Sequence, residues 1–290
     1  IWRFLKKCRD MDLIYKGRDS VPWCPRCGTA ISQHEILTED YREITHDSVY
    51  VEYPIAGREN EFLLVWTTTP WTLPGNAAIA LDPKKEYAAV KGAIKGNKYY
   101  ILKNLAGSLG LRVEDVFKGE KLIGLKYDSP FGHLPRIKKA LGGYARKVIA
   151  ADPRILPVSD TEGTGLVHIA PGAGTEDFQL GKKLGIPVIE IIDEEANYLD
   201  GLDEFSGKNA KNHPELIIDY LGKKDCGKYL FDVKPITHRY PACWRCKSEL
   251  VWRVVDEWYI SMEKLRKPLM ESARKIKWIP SFGRARELDW

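Results

Sequence analysis

Four of the six cysteines fall into two Cys-x-x-Cys pairs, Cys24-Pro25-Arg26-Cys27 and Cys243-Trp244-Arg245-Cys246. A two-residue gap lets a tight turn aim both thiolates at one ion, and two such knuckles complete a tetrahedral four-sulfur shell. A proline stands two residues before each pair, at Pro22 and Pro241. Redox-active pairs and structural disulfides are the alternatives. The first lacks a surrounding thioredoxin-like pattern, and the second lacks the signal peptide of an oxidising compartment. The spacing therefore predicts a structural zinc held by Cys24, Cys27, Cys243 and Cys246. A filled shell leaves no position for water, so this metal is not expected to be the catalyst. Cys8 and Cys226 remain as ordinary thiols.

Two further segments carry unusual chemistry. In the first, an apolar run from Glu61 to Trp66 meets three consecutive hydroxyls, Thr67, Thr68 and Thr69, and then the abrupt Pro70-Trp71-Thr72. In the second, Gly163-Thr164-Gly165 leads a short apolar run carrying His168, and a Pro-Gly-rich loop delivers Asp177 near a helix start. Each has a bland reading when taken alone. Threonines at a strand end are common β-formers and turn residues. A histidine in an apolar strand is commonly a satisfied core residue, and an acid in a first helical turn commonly faces the helix dipole.

The elements that must position these residues are mostly short strands. Runs at Ser48–Tyr53, Glu61–Trp66, Ala77–Leu81, Tyr87–Val90, Tyr99–Leu102, Lys121–Tyr127, Val148–Ala151, Gly165–Ala170 and Val188–Ile192 are separated by Gly, Pro and Asp clusters. Helical spacing covers residues 1–16, with a stop at Gly17, then Glu176–Leu184 and His213–Leu221, and most of Glu257–Lys277. The reading is an α+β fold: a β-barrel-like core with peripheral helices and a small zinc-binding stalk. Three parts are expected: 1–44, the N-terminal helix and first knuckle; 45–234, the β-rich block; 235–290, the second knuckle and a returning helical segment. The metal would tie the entry and exit of the inserted block together.

Length and composition fit that plan. With 290 residues, 44% hydrophobic and 29% charged, the chain is neither disordered, collagen-like nor a disulfide scaffold. No run of 18 apolar residues exists, so no membrane span and a cytoplasmic location are expected. Net charge is 45 − 40 = +5, a mild bias that permits an RNA partner without demanding one. Lysines and arginines such as Lys84, Lys98, Lys138 and Arg146 could follow a nucleic-acid backbone, although a solvated face is the plainer reading for any one of them. The chain opens on Ile1-Trp2 without an initiator methionine and closes on Leu288-Asp289-Trp290, which reads as a piece of something longer.

Together, the two segments resemble the editing insertion (connective peptide 1) of isoleucyl-tRNA synthetase, a class I family. There, Trp-Thr-Thr-Thr-Pro-Trp-Thr-Leu-Pro is followed downstream by Gly-Thr-Gly-x-Val-His-x-Ala-Pro and an Asp nine positions after the His. Thr67–Pro74, Gly163–Pro171 and Asp177 reproduce the pattern. Valyl and leucyl relatives place Arg where this chain has Thr69. One departure is Ala173, where the family often has Phe or His. The flanking cysteine pairs also match, and the close, Ser281 to Trp290, looks like the family's strand of return.

The resemblance implies hydrolysis of mischarged Val-tRNA(Ile), or of valyl-adenylate, by a positioned water. It implies partners too: the acceptor end of tRNA(Ile), with the chain acting as a monomer. The aminoacylation signatures of the whole ATP-binding enzyme, His-Ile-Gly-His and Lys-Met-Ser-Lys-Ser, are absent, so no amino-acid activation is expected of the chain. One methylene separates isoleucine from valine, worth about 1–3 kcal/mol in a pocket, a limit for which this pair is the standing example. A second, hydrolytic site solves that problem. By the resemblance, Asp177 pairs with the α-ammonium, and Thr67, Thr68 and Thr69 hold water or the terminal ribose. His168 forms the wall against isoleucine, with general-base duty as the alternative. Gly163 and Thr164 belong to the substrate site, and Trp71 shapes its wall or stacks near the terminal adenine, with core packing as the alternative. Two rival readings are a non-catalytic zinc-ribbon RNA-binding module and a hydrolase using the metal directly.

Overall fold

The computed structural model describes residues 1–32, 35–36, 41–92 and 96–289. By contact the chain divides into Ser20–Val254 and a smaller unit of Ile1–Asp19 with Val255–Trp290. The larger unit holds both cysteine knuckles as well as the β-rich block.

Its sheet is built on β4 (Glu61–Thr67), a strand buried on both faces along Phe62–Val65. On one edge β4 pairs antiparallel with the long β3 (Tyr41–Pro54), which in turn pairs with β11 (Leu230–Pro241). The other edge forks. The start of β4 runs parallel to β7 (Lys98–Leu102), and its end runs parallel to β10 (Val167–Ile169), with Trp66 opposite Val167. Along the first branch, β6 (Glu86–Lys91) pairs antiparallel with β7 on one side and with β8 (Arg112–Lys118) on the other. This branch packs Tyr50, Phe62, Leu64, Val90, Tyr99 and Ile101 into one apolar cluster.

The second branch closes on itself. β10 pairs with β5 (Ala78–Leu81), and β5 with β9 (Val148–Ala150). Single bridges from Lys147 to Lys126 and from Tyr127 to Ile55 then carry the ladder back to the end of β3. The expected mixed architecture with a barrel-like core is therefore present. Around it lie α2 (Pro135–Leu141), α3 (Thr175–Leu184) and α4 (Glu215–Lys223). Proline starts α2, and Gly142 and Gly185 end α2 and α3 in the left-handed conformation, as helix boundaries prefer.

Several expected elements differ. Lys121–Tyr127 is a 3₁₀ turn and single bridges instead of a strand, because Gly124 at φ +85° breaks the extended run. Val188–Ile192 makes no strand either: the Glu190 carbonyl goes to Arg136 and that of Ile191 to the Leu199 amide. In the smaller unit, α1 (Trp2–Asp10) ends seven residues before Gly17, and after Asp12 at φ +53° the chain enters β1 (Ile14–Cys24). Glu257–Lys277 begins as the end of β12 (Val251–Ile260) and turns helical only at α5 (Arg266–Lys275). The expected strand of return is a helix, α6 (Gly283–Asp289), in keeping with the good helix formers Arg284, Ala285, Arg286, Glu287 and Leu288.

The Gly-Thr-Gly run shows how closely the fork is packed. Gly163 and Gly165 lie at φ +76° and +73°, and an added Cβ would stand 2.6 Å from the Trp66 ring and 2.4 Å from Leu102 Cβ. Gly165→Ala combines a disfavoured backbone with a steric clash, so a loss of about 2–4 kcal/mol is expected in urea unfolding.

Candidate active site

Parallel strands point their carboxyl ends the same way. Because β4 and β10 are parallel neighbours, the chain leaving Thr67 and the chain leaving Ile169 emerge at the same end of the barrel. Beyond β4, Pro70 starts a 3₁₀ turn, Pro70–Gly75, that is buried throughout. Beyond β10, Ala170–Gly174 leads into the first turn of α3, which carries Asp177. Between the two loops lies a cavity of about 480 Å³. Thr67, Thr68, Thr69, Trp71, Gly163, Thr164, His168 and Asp177 all line it. Segments about 100 residues apart in sequence thus share one hollow.

Within it the side chains differ in freedom. The Thr67 hydroxyl accepts from the Thr69 amide at 3.1 Å and stands 3.4 Å from the Thr69 hydroxyl, so these two brace the turn. Thr68 is half-buried, lines the cavity and has no side-chain hydrogen bond to the described residues. The Thr164 hydroxyl turns back onto the main chain of Leu166 at 3.4 Å, so Thr164 contributes shape. Trp71 is buried, and its carbonyl accepts from the Tyr198 hydroxyl at 3.0 Å.

His168 is buried and held from both sides. Its Nε2 stands 3.1 Å from the Thr72 hydroxyl and its Nδ1 2.9 Å from the Asn76 side-chain amide. Burial pushes its pKa down to about 4, so the ring is neutral at physiological pH. Thr72 gives its one proton to the Thr69 carbonyl at 2.9 Å, so the Thr72–His168 contact is not a nucleophile–base pair.

Asp177 is the opposite case. Its Oδ2 accepts from the Ala170 amide at 2.8 Å. Burial nevertheless pushes its carboxyl up to about 7, with the neighbouring Glu176 adding to the rise. Among the described residues the cavity offers acids, Glu162, Glu176 and Asp177, and no lysine or arginine in its lining. Such a site is short of positive charge.

Residues outside the two motifs also line the cavity, among them 156–159, His238 and Tyr240 from β11, and Trp252 from β12. Burial lowers the His238 pKa, aided by His46, whose Nδ1 stands 3.0 Å from His238 Nε2. Sequence reasoning missed these residues. The one available signal was the alternation of Thr237, Arg239 and their neighbours before the second knuckle, and no strand was read there.

The four cysteines also meet, with sulfurs all within 4.8 Å of one another. A tetrahedral shell of bonds near 2.3 Å would set them about 3.8 Å apart, so the donor set fits a small divalent ion. Burial pushes the Cys24 thiol up to about 12, and a cation beside it would be needed to hold it as thiolate at neutral pH. None of the four forms a disulfide.

The sequence profile described as tRNA synthetases class I (I, L, M and V) matches residues 1–290. The chain belongs to the class I tRNA synthetases. Its relatives include the isoleucine–tRNA ligases of Pyrococcus horikoshii and Clostridium acetobutylicum, each 38% identical over 98% and 100% of this chain. That of Sulfolobus acidocaldarius is 33% identical over 98%. This synthetase chain spans only 27–28% of the length of those relatives. Among solved structures, the crystal structure of GlLeuRS-CP1 matches with TM-score 0.48 and 13% identity, covering 64% of this chain and 99% of that one. The Plasmodium falciparum cytosolic leucyl-tRNA synthetase editing domain matches with TM-score 0.45 and 10% identity, over 64% and 100%. No helix among the described residues is long and apolar enough to cross a membrane.

The raised Asp177 pKa has a consequence for stability. Between about pH 4 and 7 the folded chain keeps a proton that the unfolded chain has released, so stability falls as pH rises through that window. Asp177→Asn should therefore be more stable than the parent above pH 7, by on the order of 1–2 kcal/mol after allowance for the solvent-facing edge. The gap should close as pH approaches 4 in parallel thermal melts.

Proposed function

We propose that this chain is the proofreading region of an isoleucyl-tRNA synthetase, hydrolysing valyl esters on the acceptor end of tRNA(Ile), and valyl-adenylate, while refusing the isoleucyl forms. The observation that carries the reading is that Asp177 and Thr68, the latter with no side-chain hydrogen bond to the described residues, line one shared cavity. Its relatives' name, isoleucine–tRNA ligase, supports the choice of amino acid. Residues 45–234 carry the hydrolytic motifs on this reading, with His238, Tyr240 and Trp252 adding to the cavity wall from beyond that bound, and the chain works as a monomer.

An α-ammonium supplies the positive charge the cavity lacks. Bound beside Asp177, it turns a carboxyl poised near neutrality into a full carboxylate, and the charge-assisted contact orients the ester carbonyl. Thr68, backed by Thr67 and Thr69, holds the attacking water or the ribose hydroxyls. Water attacks directly, since no lining hydroxyl or thiol among the described residues is activated by a free base. His168 acts as a wall: both its nitrogens are engaged, and a ring held this way resists displacement by one more carbon. The same engagement speaks against general-base duty. Trp71 and Gly163 shape the remaining surface.

The cysteine cluster is assigned to a structural zinc, held by Cys24, Cys27, Cys243 and Cys246, none of which lines the cavity. When bound, it supplies cross-linking charge to four thiolates and no open position for water. A catalytic metal would need one, and a purely RNA-binding module would bring Asp177 no cation.

Deacylation of Val-tRNA(Ile) and Ile-tRNA(Ile) by this chain tests the reading. Asp177→Ala should lose at least about 100-fold on the valyl ester, while His168→Ala should begin to cleave the isoleucyl ester. Wild-type rates in the first, or unchanged selectivity in the second, would remove the corresponding role. Separately, the purified chain should carry about one zinc. Stripping the metal should lower the melting temperature more than it changes kcat at a temperature where the chain stays folded.

A further inference from the structure

The hydrogen bonds that hold His168 continue away from the cavity. The Asn76 Nδ2 that faces His168 also donates to the Ala78 carbonyl at 3.0 Å, and Asn76 Oδ1 accepts from the Tyr127 hydroxyl at 2.8 Å. Reversing this amide would set its oxygen against the Ala78 carbonyl oxygen, so its direction is settled. The Asn76 main-chain carbonyl accepts from Nε of Arg146 at 2.9 Å. On the far side of the ring, the Thr72 hydroxyl has already given its proton to Thr69 and can only accept from Nε2. Every proton in the chain then has one consistent place. The imidazole is protonated on Nε2, and its Nδ1 lone pair meets an Asn76 N–H.

The outer members of this network are not substrate groups. Tyr127 is 4% exposed, forms the bridge to Ile55 that closes the barrel, and packs edge-on against Tyr53 at 5.3 Å. Neither Tyr127 nor Arg146 lines the 480 Å³ cavity; both line a separate one of about 550 Å³. We propose that Tyr127 and Arg146 are positioning residues for His168: acting through Asn76, they hold its ring in one orientation and one tautomer and so set the aperture that excludes the longer side chain. The opposite tautomer would point a ring N–H at the amide N–H of Asn76. It becomes accessible only if that amide is released. The inference rests on the reading of His168 as a wall, but the tautomer itself can be observed without any substrate.

The test uses the 290-residue chain and its Tyr127→Phe variant, with nitrogen and proton NMR of the His168 ring as one readout and the ratio of Ile- to Val-tRNA(Ile) deacylation as the other. The parent should show a single pattern, Nε2 protonated and Nδ1 bare, unchanged between about pH 5 and 8. Tyr127→Phe should lose that single pattern and raise the Ile-to-Val ratio by roughly 3- to 10-fold. A folded Tyr127→Phe with the parent's imidazole pattern overturns the proposal. A changed pattern with an unchanged ratio overturns the link to selectivity. If Tyr127→Phe does not fold, Arg146→Lys, which removes the Nε contact to Asn76, decides by the same two readouts. A parent that hydrolyses neither ester would defeat the proofreading reading instead, and the imidazole pattern would still decide the lock.

Discussion

The site depends on one short parallel pairing, Trp66 against Val167, at the end of β4. A strand edge normally serves one partner, but β4 gives the first part of this edge to β7 and the last part to β10. The switch needs the backbones to approach closely, which Gly163 and Gly165 permit by having no side chain against Trp66 and Leu102. Once β10 is seated there, the direction of a parallel pair does the rest. Both loops that carry polar groups leave the barrel at the same end.

Burial then tunes the two titratable groups from the motifs in opposite senses. Desolvation disfavours charge on either, yet it makes His168 a neutral, fully bonded piece of wall and leaves Asp177 a carboxyl poised near neutrality. The first has its partners within the protein. The second has one backbone donor and a face left to the cavity, so an arriving cation would satisfy it. On the proposed reading, this rigid neutral surface beside an underpaired acid grips an ammonium while refusing bulk.

The cysteine cluster works on a different scale. It gathers residues more than 200 positions apart, Cys24 and Cys246 lying 3.4 Å from sulfur to sulfur, around Ile31, Ile36 and Leu250. This satellite core is small, and on the proposed reading a metal held by the four thiolates adds a cross-link to its apolar burial. Its place within the larger unit, with the barrel, could not be read from cysteine spacing.

Residue types and spacing by themselves picked out the groups that the structure gathers into one cavity and one sulfur cluster, because a Cys-x-x-Cys turn or a Thr-Thr-Thr-Pro run can be read from the sequence alone. They also revealed most strands around the site, where apolar runs are dense and bounded by Gly and Pro. They failed where a segment's hydrogen bonds go to distant partners, as at Lys121–Tyr127 and Val188–Ile192, and where a strand is polar along much of its length, as in β8 and β11. Only the tertiary structure decided that Tyr127 would face Asn76, that His238 and Tyr240 would enter the cavity wall, and that His168 would keep no free nitrogen. Those outcomes depend on register and on the direction of single hydrogen bonds, which exist only after the barrel has closed and water has been excluded.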